Sequence, residues 1–259
     1  MRRSSLEGSL LAVLAALAVS GVPARAYDVV AVSDGGTIAG KVVFRDTPPR
    51  MRKVIPTKNS DVCGDIREEA EIALGQDGSV QDAVVYLKGV KAGKAWNDAA
   101  KRAVLDNKAC TYSPRVQALP LGATLEVVNS DPVLHNVHGF VGANTLFNNA
   151  LWKDKRAEKV LESPGLIRMD CDVHGWMRAW VYVADNPYYA MTGKDGSFTI
   201  ADVPPGAYTL VTWQEYTGAV ETPVTVKAKD TVSVTAELKK QEAPLPETAE
   251  PATQQRVGG

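Results

Sequence analysis

The sequence predicts an all-β protein, a sandwich of short strands followed by a smaller β-sandwich segment. Three observations carry this. Runs of β-branched and aromatic residues, such as 80–87, 124–128 and 179–183, are short and bounded by Gly, Pro, Asn or Asp, which is a strand signature. Helical spacing is confined to 94–105, where Trp96, Ala99, Ala100, Ala103 and Val104 predict one short surface helix. Beyond Asp185-Asn186-Pro187 the pattern of a turn followed by a strand occurs twice in succession. Many short strands without interleaved long helices stack as sheet on sheet.

Taken in order, residues 1–26 read as an export signal. Arg2 and Arg3 form a charged start, 10–19 an apolar stretch, and Ala24-Arg25-Ala26 a small-x-small cleavage site, so the mature chain is expected to begin near Tyr27 in the periplasm or another exported space. The apolar stretch is too short for a lasting membrane span. Strands are expected over 37–44, 80–87, 116–119, 124–128, 166–169 and 179–183, all within a unit covering 27–185. A second unit, 186–240, holds Asp195-Gly196-Ser197-Phe198-Thr199-Ile200 and Val203-Pro204-Pro205-Gly206-Ala207-Tyr208. It is short for a core of its own, so it is expected to pack on the preceding unit or to borrow strands from the region Ile38 to Phe44. Residues 241–259, rich in Pro, Glu, Thr and Gln, are expected to be a disordered tail.

Composition limits the function. The chain of 259 residues has a formal net charge of −1, which gives no global basic field for nucleic acid. It holds three cysteines and three histidines, which caps the soft and imidazole metal ligands it can offer. In an oxidising compartment an odd cysteine count leaves one thiol free, paired with another molecule, or bound to something. Pairing Cys63 with Cys110 makes Cys171 that thiol.

The chemistry is concentrated in Cys171-Asp172-Val173-His174-Gly175-Trp176-Met177, between two predicted strands, and in Asp131-Pro132-Val133-Leu134-His135-Asn136-Val137-His138 upstream. A thiolate, two imidazoles and a thioether suit copper in a trigonal plane of two histidines and one cysteine with a long axial methionine. Zinc prefers four strong ligands and gains little from methionine. His138 lies three residues after His135, and an odd spacing on a strand sends it to the opposite face, which favours a surface or supporting place over that of an extra ligand. Met51, Met169 and Met191 read as ordinary apolar residues, and Trp152, Trp180 and Trp213 as core or interface aromatics.

This stretch resembles the cupredoxins, or blue copper proteins. The short C-x2-H-x2-M loop followed by Arg178 looks most like that of amicyanin, and His135-Asn136-Val137 looks like the segment that carries the first histidine in amicyanins and plastocyanins. Together with 192–210, it is similar to exported, methylamine-utilisation-like proteins in which a cupredoxin-like domain precedes a carboxypeptidase regulatory-like, transthyretin-like segment. The resemblance implies a Greek-key sandwich holding one type 1 copper. His135, Cys171 and His174 would be the equatorial ligands and Met177 the axial one, with Asn136 tying the two ligand segments together. Gly175-Trp176 stands where amicyanin-like loops have proline and another aromatic.

The function expected from this is one-electron transfer, with a redox partner protein docking near His174 and Trp176 and an apolar rim that includes Phe140. The alternative is copper binding for storage, delivery or sensing without a redox circuit. A third is an adhesion or docking module in which the C-terminal segment supplies the function. No enzyme is expected: three histidines cannot furnish the additional copper sites of a multicopper oxidase or a copper nitrite reductase, and a thiol enzyme normally draws its histidine from elsewhere in the fold.

Overall fold

The computed structural model describes residues 27–240; the segments read as an export signal and as a tail lie outside the described residues. The strands are β1 (Asp28–Val29), β2 (Gly36–Phe44), β3 (Arg52–Val54), β4 (Arg67–Glu69), β5 (Val84–Leu87), β6 (Ala92–Gly93) and β7 (Arg102–Lys108). Next come β8 (Thr111–Ser113), β9 (Val116–Pro120), β10 (Thr124–Asn129), β11 (His135–Val141), β12 (Asn144–Leu151), β13 (Arg156–Val160), β14 (Gly165–Asp170) and β15 (Arg178–Ala184). The last are β16 (Tyr189–Met191), β17 (Ser197–Val203), β18 (Gly206–Gln214), β19 (Gly218–Val226) and β20 (Thr231–Leu238). The fold is all-β, as expected, and among the described residues no helix is long and apolar enough to cross a membrane.

One sandwich is built from consecutive strands. Its sheets run β13-β10-β7-β8 and β12-β11-β14-β15-β9, and between them lie Leu105, Leu125, Val127, Val137, Ile167, Met169 and Val181, all buried. Along β10 the alternation is strict: Leu125, Val127 and Asn129 point inward while Thr124, Glu126 and Val128 are less buried, as a period of two requires.

The second sandwich takes strands from both ends of the described chain. Its sheets run β16-β5-β18-β19 and β17-β2-β20, enclosing Ile38, Val42, Leu87, Phe198, Ile200, Leu210 and Leu238. β2 sits between β17, antiparallel, and β20, parallel, so the segment Ile38 to Phe44 does supply a strand to the C-terminal unit. The sheets therefore join residues on both sides of 185. A third apolar cluster links the two sandwiches: Val84, Tyr182 and Ala184 are buried there, and Tyr86 stacks on Tyr182 with ring centroids 4.3 Å apart.

Three expectations need correction. The helix over 94–105 is a single 3-10 turn, Asp98–Lys101, capped by the Asn97 side chain, after which β7 begins. Leu105 and Asn107 are fully buried at strand spacing, and that burial overrides the helical spacing of the alanines. Over 80–87 only Val84–Leu87 is strand. Trp152 is 62% exposed, whereas Trp180 and Trp213 pack edge to face between the sandwiches, as expected for interface aromatics.

Candidate metal centre

Two segments meet at one end of the first sandwich. His135 and Asn136 open β11, and the loop 171–177 closes the hairpin of β14 and β15, whose last register pair is Asp170 with Arg178. Asp170 fixes the neck of that loop, accepting hydrogen bonds from Arg168 at 2.9 Å and from Arg178 at 2.7 Å. Within the loop, the Met177 N–H donates to the His174 carbonyl at 2.9 Å and the His174 N–H to Cys171 Sγ at 3.4 Å, so the loop folds around the sulfur.

His135, Cys171 and His174 converge. Their facing atoms form a triangle: His135 Nδ1 and His174 Nδ1 are 2.9 Å apart, and Cys171 Sγ lies 4.0 Å from the first and 3.9 Å from the second. The point equidistant from all three is about 2.1 Å from each, close to ordinary metal–nitrogen and metal–sulfur bond lengths. Both histidines are fully buried and Cys171 nearly so.

The other ring nitrogens are already engaged. His135 Nε2 donates to Asp131 Oδ2 at 2.9 Å and His174 Nε2 to Asn59 Oδ1 at 3.0 Å, an assignment that satisfies both oxygen acceptors. With each proton on Nε2, both Nδ1 atoms aim lone pairs at one another across 2.9 Å. Two lone pairs held face to face beside a sulfur, away from water, are the arrangement a soft cation relieves, so the residues fit copper. Burial, with the neighbouring imidazole and Lys58 adding to it, pushes the His174 pKa down to about 4. His135 is lowered chiefly by burial against the raising effect of Asp131, so both rings are neutral, ligand-ready bases near neutral pH. Burial pushes the Cys171 thiol up, while the backbone N–H groups of Asn136, Val173 and His174 pull it back.

Asn136 hydrogen-bonds across the two segments. Its Oδ1 accepts the Asp172 N–H at 2.7 Å and the Cys171 thiol at 3.3 Å, and its Nδ2 donates to Asn148 and Asp172. Met177 is buried in the same core cluster as Cys171. His138 points the other way: its ring bonds Asp172 at 3.0 Å and Thr145 at 2.9 Å, and it is absent from the converging group. Cys63 and Cys110 form a disulfide, leaving Cys171 as the free cysteine.

Asp131 and Asn59 escaped the sequence reading as site residues. Asp131 also accepts the N–H groups of Ala109 and Cys110, at 2.7 and 2.8 Å, in a turn where both residues have a φ of 51°. A non-glycine residue in that left-handed region costs about 1–2 kcal/mol, so the carboxylate compensates a strained turn while orienting His135. Only the position of Asp131, four residues before a candidate ligand, hinted at this. Asn59 precedes the one-turn helix α1 (Ser60–Cys63) and lies 115 residues from His174 in sequence, so no local pattern signals it. The contact covers the outer edge of His174, which is buried, while Trp176, ring centroid 5.1 Å away, is partly exposed.

Residues 162–236 match the family described as polysaccharide lyase family 4, domain II. No curated protein matches the chain. Among solved structures, a purple cupredoxin from Nitrosopumilus maritimus is 30% identical, over 32% of this chain and 98% of that one, with a TM-score of 0.29. A reduced amicyanin variant is 23% identical, over 32% of this chain and 82% of that one, with a TM-score of 0.30. A copper-containing nitrite reductase from Thermus scotoductus SA-01 is 20% identical, over 37% of this chain and 24% of that one, also at a TM-score of 0.30. In parts of its length, then, the chain is similar to cupredoxins and to a polysaccharide lyase domain.

Proposed function

We propose that this chain is an exported protein holding one copper ion at His135, Cys171 and His174, with Met177 as a fourth, weaker donor, and that it carries single electrons. The observation behind this reading is the buried triangle of two Nδ1 atoms and one Sγ, with both Nε2 atoms already engaged. A copper ion bound there would supply one-electron redox chemistry. The chain's own part is to hold three donors in a geometry that need not change, to exclude water, and to orient each ring through Asp131 and Asn59. The disulfide supports the oxidising compartment that the N-terminal segment predicts.

The alternative, copper binding without a redox circuit, draws support from one observation: the outer edge of His174 is covered by Asn59, so the ring does not itself reach the surface. A visible spectrum of the oxidised, copper-loaded protein tests the site, and electron exchange with a small redox reagent separates the two readings. Strong thiolate-to-copper absorption that disappears in Cys171→Ser is expected. A copper-loaded protein without that absorption overturns the proposal, and absorption without measurable electron exchange favours the alternative.

A further inference from the structure

The disulfide sits beside the candidate metal centre. Sγ of Cys63, Sγ of Cys110 and a ring nitrogen of His174 lie within 4.8 Å of one another, all three residues buried, and His174 also belongs to the group with His135 and Cys171. Cys110 is joined to the same machinery by its backbone, since its N–H donates to the Asp131 carboxylate that orients His135. A cleft of about 310 Å³, lined by Cys110, Trp176 and Met177 among others, borders one half of the disulfide.

We propose that reduction of the Cys63–Cys110 disulfide opens a second soft-metal site, in which the two cysteine sulfurs, with His174 beside them, bind copper(I). The reductant is a dithiol acting by thiol–disulfide exchange. One of its thiolates attacks a sulfur of the pair and forms a mixed disulfide, and its second thiolate then displaces the remaining cysteine. Two electrons and two protons thereby pass to Cys63 and Cys110, and the dithiol leaves as a disulfide. Binding copper(I) releases the two thiol protons, and the ion takes two sulfur ligands that match its softness. His174 then stands between a thiol-gated site and the permanent one, within reach of both.

The test uses the full chain without oxygen, titrated with copper(I) against a chromophoric chelator. With the disulfide intact, one equivalent is expected to bind tightly. After reduction to three free thiols, two are expected, and the second equivalent shields Cys63 and Cys110 from alkylation as mapped by mass spectrometry. Reduced Cys171→Ser is expected to keep one equivalent, protecting the same pair, so the dithiol site is read separately from the site proposed above. The inference is overturned if reduction adds no equivalent, or if Cys63 and Cys110 alkylate freely with the second equivalent bound. Loss of far-ultraviolet circular dichroism on reduction that copper(I) does not restore also overturns it.

Discussion

Asp131 does two jobs with one carboxylate, orienting His135 and capping the left-handed Ala109–Cys110 turn. Asp131→Ala is therefore expected to lower copper affinity about 10–100-fold, the usual effect of losing an outer partner of a ligand histidine. It should also cost about 1–3 kcal/mol of stability from unsatisfied buried N–H groups. Chelator competition and urea unfolding measure the two effects separately, and a change in affinity without a change in stability would divide the roles. His138→Ala is expected to leave the visible absorption in place, because its ring faces Asp172 and Thr145 on the far side of β11. Ligand candidates could be read from the sequence because donor chemistry is local: Cys171, His174 and Met177 share one loop, and Asn136 adjoins His135. Asn59 could not be read, because its contact depends on how α1 is carried against the loop.

At the scale of elements, the hairpin of β14 and β15 was legible and β12 and β13 were not. The first consists of two short, largely apolar runs, 166–169 and 179–183, set between turn signals. β12 and β13 carry Asn144, Asn148, Asn149, Arg156, Glu158 and Lys159 and are mostly exposed, so neither propensity nor alternation marks them. They form because β10 and β11 present open edges for pairing. The disulfide acts at this scale too, fastening α1 to the turn between β7 and β8 across 47 residues. Replacing both cysteines by alanine should cost about 4 kcal/mol on the loop-entropy account, read from thermal or urea unfolding. In the second sandwich, a Cβ on Gly40 would stand 2.1 Å from the Val234 carbonyl oxygen and 2.7 Å from the Phe198 ring. Gly40→Ala should destabilise that sandwich by about 1–3 kcal/mol, because β2 is packed between β17 and β20. The copper absorption of the folded protein should be unchanged, since Gly40 belongs to the other core.

For the whole molecule, the sheets are interleaved rather than strung in sequence. β2 and β5 depend on partners after residue 185, and the two sandwiches share the cluster around Tyr182 and Trp213. Arg115, before β9, bonds Glu215, after β18, and Trp180 donates its ring N–H to the same carboxylate at 2.9 Å. A chain ending at Asp185 is therefore expected to aggregate, with β2 unpaired and the faces of Ile38, Val42 and Leu87 open to water. Size-exclusion chromatography of that truncation decides the point; a monodisperse, folded product would mean that the first sandwich stands alone.

The parallel pairing of β2 with β20 also sets an order of events. Thr37 lies beside Thr231, roughly 190 residues later, and loop-closure entropy makes pairings of such long range slow to form. Synthesis from the N-terminus completes β2 long before β17 and β20. The central strands, with all the candidate ligands, can collapse meanwhile. β2 waits unpaired over that interval, and the second sandwich is expected to be the last part of the molecule to become resistant to proteases.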